Sequence, residues 1–325
     1  VSDGMTRSDQ RATERDQGFV LVVVLWLLAI MTVVTLSFGR RALLDATAAA
    51  YALDQTQAAM QARGAVERGV VEVMNKIYND KLVPTPELRM GDHLGQPWAK
   101  TKYLDGDEKY FEVGENFERD YIAYVIRDAE RYISVNSAPR DLLEGIEVLG
   151  TRGVKTVWSR RTKEIYKGEG VSVYQAVEEL RYQRGIDEEQ WFGEDEDPGL
   201  RDILTVWGDG RININTASRE VLLSIPELQK DERAVDTIIA YRNGPDGEAG
   251  TADDTGFASL DDITPNTGIE GDSIEAIRRF CKTSADYFII TGVATRQGGK
   301  VRAACTAVID RSGTILDWQE RTLGA

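Results

Sequence analysis

Three scarcities narrow the reading before any motif is considered. The 325 residues contain two cysteines and one histidine. Two cysteines cannot build a dense disulfide scaffold or a four-cysteine zinc site. The lone His93 cannot supply a centre that needs two or more histidines, such as the H-E-x-x-H zincins. Positive charge is the third shortage: Lys plus Arg is 39 against 54 for Asp plus Glu, a formal net charge of −15. Broad binding of nucleic acid needs a basic surface to offset the phosphates, so this balance argues against it. No G-x-S-x-G, Walker loop or H-E-x-x-H occurs. With 54 acids, chance carboxylate pairs are guaranteed and none is singled out, so the residues point away from an enzyme. What remains is 42% hydrophobic, 29% charged and 8% aromatic, a folded composition long enough for two or three domains.

The apolar residues are unevenly spread. Phe19 to Phe38 reads FVLVVVLWLLAIMTVVTLSF, with no charge, proline or glycine, and Gly39-Arg40-Arg41 follows at once. At 1.5 Å per residue this run spans a hydrocarbon core of about 30 Å. A buried core helix fits poorly. A secretory signal peptide fits poorly too, because residues 1–18 mix Arg7, Arg11 and Arg15 with Asp3, Asp9, Glu14 and Asp16, and no small-x-small site closes the run. From Arg41 to Tyr78 the chain has no proline and is rich in Ala. Leu43, Leu44, Tyr51, Ala58, Ala62, Ala65, Val66, Val70, Val73 and Ile77 recur mostly three and four apart. One continuous helix from 19 to about 80, roughly 90 Å long, is expected, with Gly64 and Gly69 as weak points and Pro84 and Pro86 as its end.

Beyond the prolines, 87–117 shows little periodicity. Strands are expected at 121–127 and 131–135, and a short extended pair at 203–207 and 211–214 around Gly208-Asp209-Gly210. Segments 137–186, 216–243 and 272–282 read as helical. Segments 188–199 and 244–262 read as acidic or polar loops. The tail reads as a three-stranded meander over 286–294, 301–310 and 314–320. An internal repeat is visible: YISVNSAPRDLLEGI (132–146) matches RININTASREVLLSI (211–225). In each copy a strand leads to Asn136-Ser137 or Asn215-Thr216, side chains able to cap the helix that follows.

Together these elements resemble the large minor pseudopilin of type II secretion systems, the K subunit of general secretion pathways. The residues carrying the resemblance are the Gly18-Phe19 junction, the apolar helix, Asn213-Ile214-Asn215-Thr216-Ala217 with its lead-in Leu204-Thr205-Val206-Trp207-Gly208, and the final Leu316-Asp317-Trp318-Gln319-Glu320. It implies that prepilin peptidase cuts a leader (1–18) after Gly18, leaving Phe19 as a methylated N-terminus. It implies Val23 at mature position five, where most pilins have Glu and this family lacks it. An apolar residue there leaves no unpaired carboxylate in lipid, which would cost several kcal/mol, on a subunit with nothing above it. The implied fold is α+β: a pilin-like long N-terminal transmembrane helix (19–80, membrane part 19–38) packed on an antiparallel β-sheet (81–136 and 286–325), with a large inserted helical domain (137–285). The implied role is structural, at the tip of a pseudopilus in the inner membrane, with the C-terminal domain in the periplasm. The implied partners are the I- and J-type minor pseudopilins and the major subunit. Kept beside this are a minor pilin of a type IV pilus and a membrane-anchored periplasmic binding module.

Three further signals bear on the site. Glu220–Arg242 resembles a helix-hairpin-helix module, but its hairpin, Pro226-Glu227-Leu228-Gln229-Lys230, lacks both glycines and puts an acid where phosphate would sit. No cofactor is required, yet Asp246, Glu248, Asp253, Asp254, Asp261 and Asp262 form a candidate calcium cluster, with Asp195, Glu196 and Asp197 as another, neither in EF-hand spacing. Some family members bind calcium in this domain. Cys281 and Cys305 could bridge outside the cytoplasm or stay as buried thiols.

Overall fold

The computed structural model describes residues 7–82, 91–104, 120–167, 174–195 and 197–323. In chain order the elements are α1 (Arg7–Leu82), β1 (Lys102–Tyr103), β2 (Ile122–Asp128), β3 (Ile133–Ser134), α2 (Arg140–Glu144), α3 (Gly150–Lys167), α4 (Glu188–Phe192), β4 (Gly193–Glu194), β5 (Asp197–Pro198), α5 (Leu200–Ile203), β6 (Leu204–Thr205) and β7 (Ile212–Asn213). They continue with α6 (Arg219–Leu223), α7 (Pro226–Gln229), α8 (Glu232–Arg242), α9 (Ile263–Thr267), α10 (Gly271–Phe280), β8 (Cys281–Lys282), β9 (Tyr287–Arg296), β10 (Val301–Asp310) and β11 (Ile315–Leu323).

The chain divides into two units, residues 1–57 and 58–325. Within the first, α1 is unbroken, and every residue from Phe19 to Phe38 is exposed. Its hydroxyls return to the helix: Thr32, Thr35 and Ser37 each donate to the carbonyl four residues back. A polar side chain in an apolar medium is satisfied in that way. This is the one described helix long and apolar enough to cross a membrane. The prolines expected to end α1 lie outside the described residues.

In the second unit the last turns of α1 pack on a five-stranded antiparallel sheet of order β1-β2-β9-β10-β11. Ala58, Ala62, Ala65, Val66, Val73 and Ile77 form the helix face of this core. Small residues there let the helix lie close to the strands, and two glycines set the distance. A Cβ at Gly292 would collide with the Ala62 carbonyl, and one at Gly69 with Ile290 and Tyr124. Gly69 is therefore a packing position, and the helix continues through it with tertiary support. Arg63 clamps the far edge by a two-pronged contact to Glu320 at 2.7 and 2.9 Å. The meander of β9, β10 and β11 matches the sequence reading closely.

Everything between β2 and β9 is an insertion with its own apolar core, in which Tyr174, Phe257 and Phe280 are among the largest fully buried side chains. It is an internal duplication far longer than the fifteen matching residues. In the first copy β3 pairs in parallel with β6, Ile133 against Leu204. In the second β7 pairs in parallel with β8, Ile212 against Cys281. The next amide after each strand repeats the bond: Val135 N–H to Thr205 O at 2.8 Å, Ile214 N–H to Lys282 O at 2.9 Å. Equivalent positions of the two copies meet at Gly145 and Ser224, so closely that a Cβ at 145 would strike the Ser224 carbonyl.

This pairing corrects two expectations. Segments 203–207 and 211–214 do not pair with each other, because each closes its own repeat. Gly208-Asp209-Gly210, with both glycines at positive φ, links the repeats. Residues 188–199 are not simply an acidic loop. Asp187 caps α4 by accepting from Gln190 N–H at 2.9 Å, and β4 and β5 form a two-residue hairpin.

Candidate functional site

The chain leaves the sheet after β2 and returns before β9, and three buried carboxylates fasten that root. Asp128, at the end of β2, accepts from Asn213 Nδ2 at 2.7 Å, Thr216 Oγ1 at 2.6 Å and Glu130 N–H at 2.7 Å. Glu130 faces Lys282 Nζ at 2.6 Å and accepts from the amides of Asp209 and Asp286. Asp92 accepts from Ala285 N–H at 2.7 Å and Arg311 at 3.2 Å, and pairs with Lys76 of α1. Each of the three is about 1% exposed. A buried carboxylate is tolerated only when donors surround it, and here the donors come from both the sheet body and the insertion. Burial pushes the Asp128 carboxyl up to about 6 despite its three donors. Burial likewise pushes Glu130 up to about 7, outweighing Lys282. For Lys282, burial is outweighed by Glu130 and Asp286, and its pKa is raised.

The repeated asparagines do not cap helices. Asn215 accepts from Phe257 N–H at 2.9 Å through Oδ1 and donates through Nδ2 to Phe257 O at 3.0 Å and Thr283 O at 3.1 Å. Asn136 makes the same three bonds: from Tyr174 N–H at 3.0 Å, and to Tyr174 O and Val206 O at 2.9 Å. Each is a clasp joining a buried loop to the end of the repeat's second strand. An amide side chain suits this because it holds donor and acceptor together, as an aspartate could not. Ser137 donates to Gly208 O at 2.7 Å, and Thr216 serves Asp128. The cap of α6 is instead Ser218, accepting from Val221 N–H at 3.3 Å, and α2 has no side-chain cap.

The six candidate calcium ligands are not gathered in one place. Asp246 accepts from Glu248 N–H, Asp254 from Gly250 N–H, and Asp253 from Asp246 N–H and Thr251 Oγ1. Asp261 pairs with Arg278 at 3.2 Å, and Asp262 accepts from Ser259 N–H at 2.8 Å. Asp195 is in a turn after β4 and Asp197 begins β5, and Glu196 lies outside the described residues. The one group of three acidic ligand atoms close enough for a metal, among the described residues, is Glu130, Asp209 and Asp286. Lys282 Nζ already contacts all three, at 2.6, 3.3 and 2.8 Å, so an ammonium occupies the place a cation would take.

Cys281 and Cys305 are free and buried. Of the two readings the free thiols fit their placement: Cys281 belongs to the core of the insertion and Cys305 to that of the sheet. Burial pushes both thiols up, to about 12 and about 11, leaving little reactive thiolate. Pro226–Gln229 is a helical turn, α7, with Glu227 in its first turn. His93 is buried with Nδ1 unpartnered among the described residues, and burial lowers its pKa. Gly18 and Phe19 lie inside α1, with Phe19 and Val23 exposed. Sequence reasoning missed the three root carboxylates. The only available signal was that Asp128 and Glu130 flank the end of an apolar strand.

No protein-family profile matches the sequence, and no curated protein is similar to it. Among solved structures, the chain is similar to one from the GspK-GspI-GspJ complex of the enterotoxigenic Escherichia coli Type 2 Secretion System. The TM-score is 0.52 at 16% identity, covering 83% of this chain and 98% of that one. The likeness is one of fold.

Proposed function

We propose that this protein is a minor pseudopilin of the type II secretion kind, a structural subunit and not an enzyme. The observation carrying the reading is the insertion. In this chain a large helical domain lies between the second strand of the sheet and its final meander, and the fold likeness to the chain from the GspK-GspI-GspJ complex, over 83% of this chain, supports the reading. Physical features agree with the role. An exposed, uncharged helix surface over 19–38 suits a bilayer and later a bundle of similar helices. In this reading residues 19–38 cross the inner membrane, the remainder lies in the periplasm, and the partners are the I- and J-type minor pseudopilins and the major subunit. A type IV minor pilin would share the body but gives no account of the insertion.

N-terminal sequencing of protein extracted from membranes of a host with prepilin peptidase tests the reading. A mature, methylated Phe19 is the expected result. A protein that starts elsewhere, with secretion unchanged in a deletion strain, sinks it. Calcium enters the proposal in a narrow form. Asp246, Asp253 and Asp254 all accept hydrogen bonds within one loop, Asp253 and Asp254 sharing Thr251 Oγ1, so the 246–254 loop is where the ion would act. Calcium should raise the melting temperature of wild type but not of Asp253→Asn. Equal shifts would place any calcium effect elsewhere.

A further inference from the structure

The two repeats serve as controls for one another on the surface of the insertion. Along their longest helices, Arg152-Gly153-Val154-Lys155-Thr156-Val157 falls on Arg233-Ala234-Val235-Asp236-Thr237-Ile238. Thr156 donates to Arg152 O at 3.0 Å and Thr237 to Arg233 O at 2.7 Å, and the apolar pairs are buried in both copies. The register is therefore structural as well as sequential.

Across it, the charges differ. In the second copy Arg219 lies against α8, held by Glu232 at 2.8 Å and Asp236 at 3.0 Å. In the first copy the same three places hold Arg140, Thr151 and Lys155. The carboxylates are gone, and one has become a cation. Arg140 turns back to Glu144 on its own helix, at 2.7 Å, a place held by Leu223 in the second copy. The space the carboxylates would fill is an open groove of about 760 Å³. Ile146, Val154 and Trp158 give it apolar walls, with Arg140 and Lys155 beside them. Glu144 and Glu147 also line it, but Glu144 is engaged by Arg140. Lys155 has no ion pair among the described residues. It is shared with an adjoining cleft whose lining includes Arg152, Arg160 and Arg184 and no carboxylate. On a chain of net charge −15, the two cations of the groove balance its two acids, and the adjoining cleft adds Arg152 and Arg184 beside an Arg160 that is paired with Glu179 at 2.6 Å.

We propose that this groove docks an acidic segment of a partner polypeptide, whose Asp or Glu side chains take, in trans, the places that Glu232 and Asp236 take within the second repeat. The occupant is a polypeptide because the groups that fill the equivalent space are carboxylates at amino-acid spacing over an apolar wall. The inference stands apart from the secretion role and fails separately from it.

The test uses full-length protein in detergent micelles and a short fluorescein-labelled peptide with Asp and Glu around a central Leu. Binding should weaken about tenfold between low and moderate salt. Lys155→Asp, which restores the second repeat's carboxylate and lets Arg140 pair within the chain, should weaken it at least about tenfold more. Arg140→Ala should weaken it as well, and replaces Lys155→Asp as the deciding variant if circular dichroism shows that one misfolded. The proposal is overturned if wild type does not bind the peptide, if the deciding variant binds as wild type does, if a peptide with Lys for the acids binds equally, or if duplex DNA binds more tightly.

Discussion

Replacing Asn215 by Ala removes the clasp of the second repeat. The side chain is 1% exposed and makes three bonds, one from Phe257 N–H and two to the carbonyls of Phe257 and Thr283. Ala leaves one buried donor and one buried acceptor, both of Phe257, without partners, while Thr283 O keeps its bond from Asp92 N–H at 2.9 Å. Each orphaned group costs about 1–3 kcal/mol, and the two are not additive because the loop can shift toward water. An overall loss of about 3 kcal/mol follows, or roughly a hundredfold in the opening equilibrium of this loop. Hydrogen exchange read by mass spectrometry on a peptide spanning 252–260 measures it directly. Asn136→Ala breaks the same three bonds at a half-buried position, where water can replace some of them. It should cost less, about 1–2 kcal/mol, read by NMR hydrogen exchange at the Tyr174 amide. Asn215→Asp should be at least as damaging as Ala, since a carboxylate would face two carbonyls. Protection at 252–260 that changes less than about fivefold in folded Asn215→Ala, or a larger effect at Asn136, would refute the clasp argument.

Further expectations concern packing, charge and thiols. Gly292→Val forces α1 off the sheet at Ala62 and should destabilise the body by about 1–3 kcal/mol, seen as a lower urea midpoint, and an unchanged midpoint would mean the contact is loose. Asp128 and Glu130 carry folded-state pKa values of about 6 and about 7, above the ~4 of the unfolded chain. The folded state therefore binds more protons between about pH 4 and 7, and stability from these groups falls as pH rises through that window, then levels off. Wild type measured relative to Glu130→Gln should lose stability from pH 5 to pH 8, and a gain would reverse the assignment. Both cysteines should react with a thiol reagent only on unfolding, and non-reducing mass spectrometry should find two free thiols. A mass two hydrogens lower would restore the bridge.

What the sequence made legible followed from local periodicity. The apolar run, the continuous helix and the meander depend on short-range patterns; the strands of the meander and the end of the helix appear within a few residues of their expected bounds, while the helix begins at Arg7 and not at 19. The repeat was legible only where its strand and first helix match. Its full extent was hidden because the halves differ in helix length, α3 against α8, while preserving three bonds made by one asparagine. The misread pairing of 203–207 with 211–214 has the same origin. A Gly-Asp-Gly turn between two extended segments is a hairpin signal, but the partners that outcompete it lie some seventy residues away in sequence. The root carboxylates were illegible because burial, not residue type, makes them special. Thr216 looked like a cap since a hydroxyl after a strand usually is one, and the buried Asp128 competes for it successfully.

The central claim, that this is a minor pseudopilin, is tested most directly by co-expressing the full chain with the I- and J-type subunits from its own genome and measuring the mass of the purified product. The account predicts a single species whose mass is the sum of one copy of each chain. A product containing only this chain, with the other two pairing without it, would contradict the account.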